Sequence, residues 1–240
     1  MRITNFHTFY NEELAMPDKV SEISLNQSDY EVNYQSSHVY RDYGKRVLDI
    51  AISLVLLPFI LPLVALLALF VARDGASPIY AHERVGRGGR RFRCYKLRSM
   101  VANSAEVLED LLATDQDARK EWEQDRKLSE DPRVTRLGNF MRRTSLDELP
   151  QFFNVLRGDM SLVGPRPVTA AELPRYGRNL HHYLSLRPGL SGEWQVSGRN
   201  EVSYAQRVQM DANYERNLNF GRDFRIIAMT AMVLVRKTGK

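Results

Sequence analysis

The sequence predicts a mostly helical α/β fold with a small sheet, joined to a membrane-associating segment. Three observations lead there. Residues 50–72 are an apolar run of 23 residues without one charged side chain. Residues 79–80 and 92–97 are β-rich stretches on either side of a glycine turn at 86–89. Elsewhere apolar positions recur at helical spacing, most clearly at Leu149, Phe152, Phe153 and Leu156.

A chain of 240 residues can form one sizeable domain, or one domain plus an anchor. Its formal net charge is +5, but residues 1–44 carry three basic and seven acidic side chains, which leaves +9 on the remainder. That 1–44 stretch reads as a mobile polar tail. The basic remainder calls for an anionic partner: lipid head groups, a nucleotide sugar or nucleic acid. Seven of the basic residues crowd into 84–98, including Lys96 and Arg98. A single cysteine, Cys94, rules out an intramolecular disulfide framework. The five histidines lack metal-ligand spacing, which argues against zinc. No phosphate-binding loop or dinucleotide fingerprint is present.

The stretch TSLDELPQFFNVLRGDMSLVGPRP, 144–167, carries the densest chemistry. Ser145 and Glu148 have capping-box spacing, which predicts a helix with Asp147 and Glu148 in its first turn and Gly158 at its end. Adjacent helical residues point about 100° apart. Two neighbouring carboxylates can therefore hold two tasks, attack on an electrophile and grip on a divalent cation. Free N–H groups at a helix start also suit a phosphate. The plainer alternative is that acids favour first turns for their dipole. Gly164-Pro165-Arg166-Pro167 next presets the backbone around one arginine, an arrangement suited to phosphate.

As a straight helix, 50–72 would be roughly 35 Å long, enough for a bilayer core of about 30 Å. Pro58 and Pro62 lie one turn apart and free the carbonyls of Leu54 and Pro58. A modest bend that still crosses and a sharp break that returns to the same face both fit, and hydropathy favours crossing. Lys45 and Arg46 flank one end, Arg73 the other. Further on, 103–128 reads as an amphipathic surface helix or helix pair, and 173–186 and 202–218 as helices. The apolar stretch 224–235 reads as an interfacial helix.

SLDELPQFFNVLRGDMSLVGPRP (145–167) resembles the core motif of the bacterial sugar transferases, the monotopic polyprenyl-phosphate phosphoglycosyl transferases. The likeness continues in KRVLD (45–49), ERVGRGGRRFRCYKLRSM (83–100), DPRVTRLGNFMRR (131–143) and RPGLSGEWQVSGRN (187–200). The exopolysaccharide-type galactose-1-phosphate transferases are the most similar branch. The resemblance implies a re-entrant helix–break–helix at 45–73, with Pro58 and Pro62 as the break and Lys45 and Arg46 as interface anchors. Leu61 stands where the family has a serine before the proline. A compact cytoplasmic catalytic domain with interfacial amphipathic helices is implied over 74–240.

The same resemblance implies Asp147 as nucleophile and Glu148 as ligand of Mg²⁺. It puts Lys96 and Arg98 beside the site and Arg142 on the substrate anion, with Arg143 as that residue's rival. Arg187, Arg199 and Trp194 become parts of a uracil and phosphate pocket; Glu193 stands where the family has an apolar residue. The implied reaction moves hexose-1-phosphate, galactose or glucose, from a UDP-sugar to undecaprenyl phosphate. It releases UMP through an aspartyl intermediate, as the first membrane step of exopolysaccharide assembly. Membrane lipids are implied partners, on the cytoplasmic face of the bacterial inner membrane, with a homodimer left open. Nucleic acid is not expected, because no recognisable module is present. The rival readings are a non-catalytic membrane scaffold of a polysaccharide assembly complex and a glycosyl transferase that releases UDP.

Overall fold

The computed structural model describes residues 39–125, 128–197 and 202–235; the tail up to residue 38 and Arg199 lie outside the described residues. After a π-helical turn, Tyr40–Gly44, the chain enters helix α1, Lys45–Val71, which closes through a 3₁₀ turn, Ala72–Asp74. Pro58 and Pro62 both lie inside α1, which is continuous through them. The expected break is therefore not an interruption of the helix. Each proline deletes one backbone bond, and apolar side chains around it offer no competing partner, so the other turns hold.

Residues Lys45, Asp49, Ser53, Ile60, Val64 and Leu67 of α1 are buried, at intervals of three, four or seven. One stripe of the helix thus packs on the body in its first three turns and again from Ile60 on, while no residue of 54–59 is buried. Leu54, Val55, Phe59, Leu66, Leu69 and Phe70 remain exposed. Polar clasps fix the first turns. Lys45 Nζ reaches Asp223 at 2.7 Å and the Tyr214 hydroxyl at 2.9 Å. Arg46 donates to the carbonyls of Val155 and Leu156, and Asp49 accepts from Leu162 N and Ser161 Oγ. At the far end, Arg98 donates to Val71 O and to both oxygens of Asp74.

Strands β1 (Ile79–Val85) and β2 (Arg91–Leu97) pair antiparallel, so the hairpin is longer than its predicted strands. Gly88 and Gly89 make its turn at φ of 66° and 77°, the left-handed region that glycine enters without strain. The 103–128 region is a helix pair, α2 (Ser104–Thr114) and α3 (Gln116–Asp125). Asp115 divides them, its carboxylate accepting from the N–H groups of Asp117 and Ala118.

Next come α4 (Arg136–Thr144), a 3₁₀ turn (Leu146–Glu148), α5 (Gln151–Arg157) and β3 (Ser161–Val163). A 3₁₀ segment (Ala170–Asn179) leads into α6 (Leu180–Leu184) and β4 (Gly189–Ser191). Helices α7 (Glu193–Val196), α8 (Tyr204–Arg216) and α9 (Phe220–Val235) follow. The described fold is mostly helical, and its sheet is divided in two: β3 and β4 form a separate parallel pair. Leu97, Met141, Val155 and Met160 are buried at the centre of the main core, which also takes in Ile60, Val64 and Leu67 of α1.

Candidate active site

The acidic pair does not open an α-helix. Asp147 and Glu148 occupy the 3₁₀ turn between α4 and α5, and Ser145 makes no capping bond. Ser145 is instead the left-handed C-cap of α4, at φ of 57°. The reason lies five residues on. In a helix started at Ser145, Pro150 would lack the N–H for Leu146 O and its ring would strike that carbonyl. The chain therefore restarts at Pro150, the N-cap of α5, and Gly158 ends that helix at φ of 86°.

Three neighbours build the site around this turn. Helix α4 lies so close to Ser99 that a Cβ on Gly138 would stand 1.9 Å from Ser99 O. That approach brings Arg142, one turn later, to donate from Nε to Ser99 Oγ at 2.8 Å. Strand β2 is tied to α5 by the buried Asn154, which accepts from Tyr95 N and donates to Arg93 O. Lys96, next along β2, then reaches Glu148 Oε1 at 2.6 Å. Leu146 and Leu149, on either side of the acids, pack against the core that contains the inner face of α1.

Asp147 is 8% exposed, and burial pushes its carboxyl up to about 6. Lys96 pulls it down, Glu148 pushes it up, and Arg142 pulls it down more weakly. The result is a poorly solvated carboxylate, ionised above that pH, with two cations and a second acid around it. Weak solvation favours attack, because less water must be stripped away.

Asp147, Glu148, Lys96 and Arg142 thus converge. Arg98 does not join them: its five N–H donors serve Val71 O, Ser77 O, Met100 O and both oxygens of Asp74. Arg187 lies at the opposite end of α5, where its Nε donates to Gly158 O at 2.8 Å beside Arg46. Burial and the like charges of Arg46 and Arg87 hold its pKa below the usual value. Arg166 stands over the indole of Trp194. Sequence reasoning missed Asn154 and Gln151: the buried face of α5 carries these two with Phe152 and Val155, and Phe153 of the expected apolar stripe is exposed. An asparagine inside an apolar repeat is the signal that could have found the first.

No group of three or more His, Cys, Asp or Glu side chains gathers among the described residues. Mg²⁺ needs no such cage, since it commonly takes one or two carboxylates and completes its shell with substrate phosphates and water. The adjacent carboxylates of Asp147 and Glu148 fit that donor set.

A buried carboxylate and a second acid thus stand beside two cations, in a turn whose flanking leucines pack into the core that α1 joins. The bacterial sugar transferase family model matches residues 40–237, and the chain belongs to that family. It is 53% identical over 195 residues to the UDP-galactose-lipid carrier transferase of Erwinia amylovora, covering 81% of this chain and 41% of that protein. It is 54% identical over 195 residues to the undecaprenyl-phosphate galactose phosphotransferase of Salmonella typhimurium, with the same two coverages. The exopolysaccharide production protein ExoY of Rhizobium meliloti is 46% identical over 188 residues, 78% of this chain and 83% of that protein. The chain therefore spans about two fifths of the length of the first two relatives.

Proposed function

We propose that the protein transfers a hexose-1-phosphate, galactose or glucose, from a UDP-sugar to undecaprenyl phosphate and releases UMP. The observation that carries this reading is the buried, weakly solvated Asp147 between Lys96 and Arg142. A carboxylate oxygen of Asp147 attacks the β-phosphorus, and the bond from that phosphorus to the bridging oxygen breaks as UMP leaves. An oxygen of the lipid phosphate then attacks the same phosphorus, and the aspartate departs. The two-step route suits a carboxylate, a modest nucleophile and a good leaving group. Lys96 and Arg142 offset the repulsion between the attacking anion and the phosphate.

Mg²⁺, held by Glu148 with Asp147 beside it, would neutralise charge on the substrate phosphates. Glu148→Gln should raise the Mg²⁺ concentration needed for half-maximal rate several-fold. An unchanged Mg²⁺ titration would remove Glu148 from that role. The reaction itself is tested with a panel of UDP-sugars, undecaprenyl phosphate and Mg²⁺. UMP as the product supports the proposal, UDP points to the glycosyl transferase alternative, and no product at all to a scaffold.

The lipid acceptor calls for a membrane-embedded enzyme, and the packing of α1 supports one that stays on the cytoplasmic face. Both ends of α1 are held by one body, at Lys45 through Asp223 and at Val71 through Arg98. A helix crossing a bilayer core of about 30 Å would carry its second end away from that body. In our reading α1 enters and returns, bending at the weakened Pro58–Pro62 turn, with its exposed leucines and phenylalanines in lipid. The exposed Phe220 and Phe224 of α9 suit the same interface.

A further inference from the structure

The hairpin face that carries Lys96 also carries two aromatic side chains with no part in the chemistry above. In the β1–β2 register Tyr80 stands opposite Lys96 and His82 opposite Cys94. Residues opposite each other, or two apart on one strand, share a face of the sheet. Tyr80, His82, Cys94 and Lys96 therefore share one, with His82 on the diagonal from Lys96, a separation of about 7–8 Å. The acid pair lies on that side. Lys96 Nζ reaches Glu148 at 2.6 Å, and the buried Cys94 thiol feels both of those charges. Lys96 acts on the His82 ring as well.

His82 is fixed from behind. A bridge between Val85 and Val168 brings the turn at 169–172 beside β1. There Glu172 accepts from Thr169 N at 2.8 Å, from Thr169 Oγ1 at 3.0 Å and from Arg84 at 3.3 Å. Arg84 also donates to His82 Nδ1 at 3.1 Å. A guanidinium only donates, so Nδ1 must accept, and the proton of the neutral ring sits on Nε2. Burial and the charges of Arg84 and Lys96 hold the imidazole below its usual pKa, so it is neutral at pH 7. Its Nε2 has no hydrogen-bond partner among the described residues. The exposed ring of Tyr80 stands next to it, the centroids 6.0 Å apart and the planes at 58°.

A neutral donor of fixed tautomer beside an aromatic wall does not suit an anion, and Arg84 already serves Glu172. It suits a neutral, hydroxyl-bearing ring, because a hydroxyl can accept from Nε2–H. Small-molecule sites combine aromatic walls with a few fixed polar groups in this manner. In the reaction proposed above the hexose is bonded to the phosphate that Asp147 attacks, so it must lie next to the acid pair. We propose that Tyr80 and His82 hold the hexose of the donor, and that Nε2–H of His82 reads one of its hydroxyls. This deepens the UDP-sugar reading and rests on it. Galactose and glucose differ in the direction of a single hydroxyl, so one fixed donor can tell them apart.

The test uses the full chain in lipid nanodiscs with UDP, UDP-galactose and UDP-glucose. His82→Ala should lower kcat/KM for the preferred UDP-hexose about tenfold, as loss of one hydrogen bond implies, and bring the two hexoses closer to equal use. Binding of UDP, which has no hexose, should stay the same. His82→Gln, whose amide can accept from Arg84 and still donate, should recover part of the loss. If the alanine variant fails to fold, the glutamine variant is read instead, and its hexose preference must differ from that of the wild type. An unchanged preference overturns the proposal. Equal weakening of UDP and UDP-hexose overturns it too, since His82 would then serve the nucleotide or the fold. If no sugar phosphate is transferred but UDP-hexose binds more tightly than UDP, and His82→Ala removes that difference, this site stands and the proposed reaction fails.

Discussion

Asp147→Asn is expected to abolish sugar-phosphate transfer and, at neutral pH, to make the protein more stable. The two effects share one cause. Burial raises the Asp147 carboxyl from its ordinary 3.8 to about 6. Between those values the folded chain holds a proton that the unfolded chain has lost. The stability this proton contributes is whole below about pH 3.8 and lost as pH rises through about 6. Above that, the ionised aspartate costs roughly 3 kcal/mol, which the neutral amide does not. The variant should therefore melt higher than wild type at pH 7.5, and the gain should vanish near pH 4. Acceptor-free enzyme mixed with UDP-sugar should release a burst of UMP in the wild type and none in the variant. Wild-type kcat/KM should fall as pH drops through about 6, where the nucleophile protonates. A retained burst would remove Asp147 from the chemistry, and equal melting at pH 7.5 would mean that its burial is not costly.

Lys45→Met is expected to be the most damaging single change outside the site. Lys45 is 7% exposed and Asp223 only 1%. Tyr40 and Tyr214 also donate to Asp223, so one carboxylate gathers three donors, from the π-helical turn, the start of α1 and α8. Removing the only cation of that group leaves a buried, uncompensated charge, which typically costs about 3–5 kcal/mol. The Lys45→Met, Asp223→Asn double variant should recover much of the loss, because an amide carries no charge, accepts from one tyrosine through its oxygen and donates to the other through its NH2. Denaturant unfolding in nanodiscs reads both. A loss below about 1 kcal/mol would place this pair with solvent-screened ion pairs instead.

How much of this was legible beforehand depended on how local the determinants are. The apolar run, the glycine-turned hairpin, the helix end at Gly158 and the predominance of helix all follow from residues within a few positions of one another. The Asp147–Glu148 pair with Lys96 and Arg142 was legible because family motifs mark all four. The capping-box expectation failed because Pro150 forbids a helix through it, a signal present in the chain and outweighed by the S-x-x-E spacing. Arg98 and Arg187 illustrate what a motif leaves open. An arginine in a motif looks the same whether it meets a substrate or a carbonyl, and here one clamps the end of α1 and the other the end of α5.

By itself, the order of residues determined where α1 lies, that two acids stand together, and that an arginine sits between two prolines. Those features rest on side-chain chemistry and short-range backbone sterics. Only the tertiary structure decided that Asp147 is buried and that both ends of α1 dock on one body. Solvation and charge pairing are set by atoms far apart in the chain, so no local pattern encodes them.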